Sequence, residues 1–170
     1  MNHESAPEMA TRYDASATET KWYACWEEAG LFRPTGDGEP YVITIPPPNI
    51  TGSLHMGHAL CYSLQDALGR YQRLRGRRVL VLPGQDHAGI ATQSVVDKNL
   101  KKEGSSAAKI GREAFLEKVW EWRAYSGGEI LNGLRRFGCA FDWSRARFTL
   151  DEGYAEAVLR IFIDWYERGL

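Results

Sequence analysis

An α/β fold organised around a parallel β-α-β unit is predicted by three observations. A short β-branched run, Tyr41-Val42-Ile43-Thr44-Ile45, is ended by three prolines, a helical apolar stripe follows it, and a second apolar run, Val79-Leu80-Val81-Leu82, closes the pattern. Two parallel strands joined through a helix of roughly twenty residues need a crossover, which is right-handed in nearly all proteins. Ligands of such units bind beyond the carboxyl ends of the strands. The turns Pro46 to Ser53 and Pro83 to Gly89 both lie there, so residues distant in sequence are expected to converge on one crevice.

The elements follow in order. Residues 1–16 are polar and acidic and are expected to form a disordered tail. Residues 17–40 are read as an amino-terminal helix and turn, and residues 41–170 as the main domain. Ser16-Ala17-Thr18-Glu19 has the form of a capping box, Trp22, Cys25 and Trp26 share one helical face, and Gly30 suits a helix stop. Gly36, Gly38 and Pro40 mark the turn before the first strand. Ser53 is expected to cap the crossover helix, whose stripe Cys61, Leu64, Leu68, Tyr71 steps by three and four until Gly76.

Beyond the second strand a helix is expected from Ile90 to about Glu103, stopped by Gly104. The stripe Phe115, Val119, Trp122, Ser126, Ile130, Leu134, Phe137 predicts another, weakened at Gly127-Gly128. Thr149-Leu150-Asp151-Glu152 reads as a capping box for a last helix carrying Tyr154, Val158, Ile161 and Trp165, with Gly169 as a stop. Two strands are too few for a doubly wound sheet, which usually has about four to six. The sheet is therefore expected to be incomplete, and the chain to be the first part of a longer polypeptide.

Composition sets the class. The chain has 170 residues, 44% of them apolar, and a formal charge of −1, which excludes disordered, collagen-like and disulfide-scaffold proteins. Charge is uneven: residues 41–150 hold 16 bases against 9 acids between acidic ends, a hint of an anionic ligand in the middle. Cys25, Cys61 and Cys139 form no C-x-x-C pair and are read as reduced and buried. Met1 to Ala15 lacks the pattern of a secretory signal, so a cytoplasmic location is expected. Tyr41 to Gln65 carries no charged residue, but Pro46, Pro47, Pro48 and two histidines make it unfit to span a bilayer. No membrane partner is expected.

Chemistry concentrates in the two turns. His55-Met56-Gly57-His58 puts two imidazoles on one face of a helix start, where free N–H groups and the positive end of the dipole favour an anion such as a nucleoside triphosphate. Gly57, without a Cβ, would let the helix approach the strand or a flat base. The segment is neither a Walker A loop nor a dinucleotide fingerprint. An isolated H-x-x-H equally suits polar surface, and its place after strand, proline turn and cap is what points to a ligand. Asp86-His87-Ala88-Gly89 faces the same crevice: Asp86 could hold an ammonium group and His87 could serve ATP or the second substrate, while Asp86 as a helix N-cap is the plain alternative. Asn49 could offer directional hydrogen bonds or close an Asx-turn. Arg70, Arg73, Arg75, Arg77 and Arg78 suit a solvated helix end better than a phosphate-backbone contact, and the tryptophans at helical spacing suit the core.

Pro48-Asn49-Ile50-Thr51-Gly52-Ser53-Leu54-His55-Met56-Gly57-His58, preceded by Pro46-Pro47, resembles the first signature of class I aminoacyl-tRNA synthetases, in the form typical of their valyl members. Pro83-Gly84-Gln85-Asp86-His87-Ala88-Gly89-Ile90-Ala91-Thr92-Gln93 resembles the next valyl block, and the similarity runs through Trp120-Glu121-Trp122, Asp142-Trp143-Ser144-Arg145 and Phe148-Thr149. Gln85 stands where the family often has threonine, and Gly133 where it often has glutamine. No K-M-S-K-S-like segment occurs. The resemblance implies the amino-terminal half of a Rossmann-like catalytic domain, without editing, second-signature or anticodon-binding regions.

It also implies ATP-dependent activation of L-valine to valyl-adenylate and transfer to tRNA(Val), the reaction of a valine–tRNA ligase, with Mg²⁺ accompanying ATP. By resemblance, His55 and His58 would be the catalytic phosphate donors. ATP would be held by His55, Gly57, His58 and His87, and the amino acid by Pro46, Pro47, Asn49 and Asp86. No resident metal is implied, the oligomeric state is left open, and a chain of this extent is not expected to charge tRNA alone. The sequence also admits a nucleotide- or tRNA-associating module without chemistry, a hydrolase with zinc on His55, His58, His87 and Asp86, and a small nucleotidylyltransferase, against which the exposed sheet edge argues.

Overall fold

The computed structural model describes residues 11–170. Most of the expected tail, 1–16, lies outside the described residues. The first helix, α1 (Ala15–Glu28), is capped by Asp14, whose Oδ1 accepts from the Ala17 N–H at 3.1 Å, not by Ser16. Its inward residue is Tyr23, whereas Trp22 and Trp26 are 50% and 36% exposed and Cys25 is exposed too. Tyr23 is drawn in because its Oη finds partners on both sides: it donates to the Cys139 carbonyl at 2.6 Å and accepts from Trp143 Nε1 at 2.7 Å. Arg135 adds a forked pair with Glu27, Nε to Oε2 at 3.1 Å and Nη2 to Oε1 at 3.2 Å.

Strands β1 (Pro40–Thr44) and β2 (Arg78–Leu82) pair in parallel with Val42 opposite Leu80, and α2 (Met56–Leu74) is the crossover between them. The expected β-α-β unit is therefore present. Before β1 and before β2 the chain turns so tightly that a Cβ on Gly38 would lie 2.0 Å from the Gly76 carbonyl oxygen. Val79 and Val81 point from β2 into the core with Ile45, Ile50, Tyr62, Ile130, Leu134 and Phe141.

The inward face of α2 differs from the expected stripe. Leu64, Leu68 and Tyr71 are 59%, 50% and 53% exposed, whereas Tyr62 and Gly69 are buried. Polar side chains beside that buried face tie down the segments after α1 and after α5 (Arg112–Arg136): Asp66 Oδ1 accepts from the Ala140 N–H at 2.7 Å, and Arg73 donates to the carbonyls of Phe32 and Ala140 at 3.2 and 3.1 Å. Arg70 likewise reaches the Gly138 carbonyl at 2.7 Å and Arg77 pairs with Glu39 at 2.9 Å. Three members of the arginine cluster are thus structural ties. Arg70 and Arg73 serve carbonyls that need donors, and Arg77 meets a carboxylate, while Arg70, Arg75 and Arg78 remain exposed as a solvated helix end would have them.

Two short strands escaped the sequence reading. β3 (Gly84–Gln85) pairs in parallel with β4 (Arg147–Phe148), after a 3-10 turn at Trp143–Arg145. The backbone line through β2 and β3 is therefore flanked on one side by β1 and the proline turn and on the other by residues 142–149, with Asp142 N–H donating to Val81 O at 3.0 Å and Thr149 N–H to Gln85 O at 3.1 Å. The regular strands remain paired two by two among the described residues.

α3 (Ile90–Lys102) runs nearly as expected, and a four-residue helix, α4 (Ala107–Ile110), precedes α5. α5 passes through Gly127-Gly128 unbroken. A Cβ on Gly127 would lie 3.0 Å from Gln85 Oε1, and Gln85 Nε2 donates to the Gly127 carbonyl at 2.6 Å. The glycine that weakens the helix thus makes room for a buried amide from β3. The last helix, α6 (Glu152–Glu167), is capped by Asp151, which accepts from the Tyr154 N–H at 2.7 Å. None of its residues is buried, and its stripe of Tyr154, Val158, Ile161 and Trp165 stays 42%, 53%, 51% and 56% exposed among the described residues.

The Gly38 approach is directly testable. Gly38→Ala is expected to destabilise the fold by about 1–3 kcal/mol, read as a lower denaturant midpoint at unchanged slope, whereas Gly36→Ala at the neighbouring open position acts only through its positive φ of 82°.

Candidate functional site

The proline turn is a backbone problem before it is a site. Pro46, Pro47 and Pro48 bring three carbonyls and no N–H, so their acceptors must be met from elsewhere. Tyr62 Oη donates to Pro46 O at 2.9 Å, and the Asp86 N–H donates to Pro48 O at 2.9 Å. Ile50 N–H returns a bond to Asp86 O at 3.1 Å, making a parallel bridge between Asn49 and Asp86. Trp122 Nε1 and Ser126 Oγ both donate to Ile50 O, at 2.7 and 3.2 Å. The two turns at the strand ends therefore meet through their backbones.

The histidine pair sits at the start of α2 with both Nδ1 atoms bonded to backbone N–H groups. His55, not Ser53, is the N-cap: its Nδ1 accepts from the Gly57 N–H at 3.1 Å. His58 reaches back, its Nδ1 accepting from the His55 N–H at 3.2 Å. Both Nδ1 atoms being acceptors, each neutral ring carries its proton on Nε2. The rings lie 4.0 Å apart, and His58 stacks on Tyr62 at 5.9 Å and 20°. Burial, aided by neighbouring His55, lowers the His58 pKa from its ordinary value, and burial pushes the Tyr62 phenol up to about 12. A Cβ at Gly57 would fall 2.9 Å from His55 Cε1. Gly57 therefore makes room for the capping imidazole, and no strand atom stands within the same reach.

His55, Gly57 and His58 line a cleft of about 330 Å³ with Pro46, Pro47, Pro48, Asn49, Thr51, Gly52, Ser53, Cys61 and Tyr62. No carboxylate belongs to it, so its donor-rich wall suits phosphate oxygens better than a hard cation. Asn49 is exposed and its side chain makes no hydrogen bond among the described residues, leaving the amide free and the Asx-turn unformed. Ile50 is buried in the core, and Met56 is 81% exposed.

Asp86 and His87 stand outside that cleft, joined to it by the Asn49 bridge. Asp86 does not cap α3, whose N-cap is Gly89 without a side-chain bond. Its Oδ1 instead accepts from the Ala88 N–H at 3.0 Å and from Thr149 Oγ1 at 3.2 Å, while its Oδ2 has no partner among the described residues. Ala88 is held at a φ of +53°, the only left-handed residue besides glycines among those described. Such backbone strain of about 1–3 kcal/mol persists only where surroundings impose it, as the Asp86 bond does here.

Sequence reasoning missed Thr149, read as part of a helix cap, and Tyr62, Trp122 and Ser126, which hold the proline turn. Tyr62 had a signal: it lies one helical turn after His58 on the same face. Thr149 had none, since only tertiary pairing brings it to Asp86. The zinc reading finds no geometry, as no three His, Cys, Asp or Glu side chains cluster in a metal-holding group among the described residues. No described helix is long and apolar enough to cross a membrane.

Comparison with known proteins adds to this geometry. A family model described as tRNA synthetases class I (I, L, M and V) matches residues 21–170. The chain is 54% identical over 165 residues to a Valine–tRNA ligase of Geobacter sulfurreducens, covering 96% of this chain and 19% of that protein. It is 55% identical over 161 residues to a Valine–tRNA ligase of Caulobacter vibrioides, covering 93% and 18%. In fold it resembles the LeuRS of Agrobacterium radiobacter, solved as a ternary complex with tRNA and LeuAMS, with a TM-score of 0.74 at 24% identity over 94% of this chain and 19% of that one. The chain spans about a fifth of the length of the curated relatives it matches, at 19% and 18% of the two named.

A pH titration tests the capping pair. Because the folded pKa of His58 is depressed, its contribution to stability is full above the ordinary histidine range near 6.5 and is lost as pH falls through the lower folded value. The imidazole titration followed by NMR should give His58 a midpoint below 6.5, with the His55 amide losing its bond on protonation.

Proposed function

The chain belongs to the class I tRNA synthetases of the isoleucine, leucine, methionine and valine group, and from that premise we propose that its two turns form the amino-terminal part of a site that activates L-valine with ATP for transfer to tRNA(Val). The observation that supports this reading is the Asn49–Asp86 bridge, which joins the turn leading into an anion-favouring helix start to the turn that bears a carboxylate with a free oxygen.

In this reading the valine carboxylate attacks the ATP α-phosphorus and pyrophosphate leaves, so the protein needs no nucleophile. Its task is to align the reactants and stabilise charge spreading over phosphate oxygens. His55 and His58 each offer a neutral Nε2–H, and the positive end of α2 adds to them. Neutral donors serve that end without repelling one another. Gly57 keeps the His55 ring in its cap and leaves the surface open to adenine. Asp86 Oδ2 takes the valine ammonium, Pro46 and Pro47 border the side chain, and Asn49 positions the aminoacyl phosphate through its free amide. His87 serves on the ATP side of the crevice. Mg²⁺ arrives with ATP as part of the substrate, which agrees with a cleft wall lacking carboxylates. Residues 41–170 act as the first part of the catalytic domain, with 17–40 as an amino-terminal extension.

The test is equilibrium binding of a non-hydrolysable valyl-adenylate analogue to the purified chain. Saturable binding is expected, weakened at least about tenfold, or 1.4 kcal/mol, by His58→Ala and by Asp86→Asn, with the corresponding leucyl analogue binding less tightly. Binding indifferent to both substitutions, or preferring the leucyl compound, would overturn the assignment.

A further inference from the structure

Thr149 sits at the end of β4, between the two side chains of the second turn. Its Oγ1 accepts from the His87 N–H at 2.9 Å and lies 2.6 Å from His87 Nδ1 and 3.2 Å from Asp86 Oδ1. His87 Nδ1 is itself 3.3 Å from Asp86 Oδ1. A hydroxyl has one proton and two lone pairs, so the assignment turns on whether the threonine proton goes to Asp86 or to the His87 ring. The carboxylate is the strongest acceptor present and takes the Thr149 proton. Both lone pairs of Oγ1 then receive N–H donors, the His87 backbone and the His87 ring. The opposite choice, Thr149 donating to Nδ1, sets two acceptors, Nδ1 and Asp86 Oδ1, beside each other at 3.3 Å and withholds the threonine proton from the carboxylate.

We infer that Thr149 is a positioning residue that fixes His87 as the Nδ1–H tautomer, so that His87 presents Nε2 as a hydrogen-bond acceptor, opposite in sense to the Nε2–H donors of His55 and His58. Its ring is 37% exposed and packs edge-on against Phe148 at 6.4 Å, and its Nε2 has no hydrogen-bond partner among the described residues. The crevice is thereby divided by polarity. Its α2 end donates and suits phosphate; its α3 end accepts and suits a hydroxyl or ammonium group. Use of that acceptor on a nucleotide hydroxyl or an amino-acid ammonium rests on the reading above, while the tautomer stands on contacts within the chain.

The experiment is long-range ¹H–¹⁵N correlation on ¹⁵N-histidine-labelled chain without ligand, at a pH where the rings are neutral. His87 should show a protonated Nδ1 and a bare Nε2, with His55 and His58 showing the reverse. Thr149→Ser should keep the His87 pattern, and Thr149→Val should lose it while leaving the His55 and His58 signals in place. A His87 protonated on Nε2 in the unaltered chain, or a pattern unchanged in Thr149→Val, overturns the inference. The unaltered chain alone decides the tautomer if Thr149→Val fails to fold. Failure of the adenylate analogue to bind would overturn the substrate reading and leave this ligand-free result as it stands.

Discussion

Three consecutive prolines at the end of a buried parallel strand impose the constraint on which the site depends. They remove three N–H donors at a place where carbonyls are leaving the sheet. The donors must then be brought by other elements, and each element that brings one helps to fix the turn that borders the site. Tyr62 comes from α2, the Asp86 amide from the second turn, and Trp122 and Ser126 from α5, which serve the carbonyl of Ile50. A loop that cannot bond to itself is more rigidly held than one that can, because its partners sit on the core.

The same economy of donors and acceptors orders the histidines. A helix start leaves its first N–H groups without intrahelical acceptors, and His55 and His58 answer with Nδ1 atoms where serine or aspartate would offer oxygen. Capping the helix and choosing the tautomer are then one event. His87 sits in a loop where its Nδ1 meets Thr149 Oγ1 at 2.6 Å with the Asp86 carboxylate just beyond at 3.3 Å, so on the inference above its ring is turned to the opposite use. Sequence treats all three residues alike; surroundings make two of them donors and one an acceptor.

Much of this was legible beforehand. The β-α-β unit, the meeting of its two turns and the stripe from Phe115 to Leu134 follow from period and punctuation, since parallel pairing and helix packing demand those patterns. Cap identities were displaced by a few residues: Asp14 for Ser16, His55 for Ser53, Asp151 for Thr149. Several residues near a helix start are competent to cap, and the entry angle of the chain selects among them. The exposed faces were harder. Leu64, Leu68 and Tyr71 of α2 and the whole stripe of α6 have the period of core residues, yet the described elements do not cover them. Apolar periodicity states that a face wants burial, not which neighbour provides it.

The order of residues in the chain determined the fold class, the location of the crevice and the chemical types gathered there, because strand, proline turn, helix start and glycine stops are local features that need no distant partner to be read. Tertiary structure alone decided that Arg70 and Arg73 serve the carbonyls of Gly138 and Ala140, that Gln85 fills the space above Gly127, and that Thr149 reaches Asp86 and His87. Each of those depends on a hydrogen-bonding group finding its complement across sixty or forty residues of chain. Such a pairing is set by the path of the folded backbone, and no periodicity in sequence encodes it.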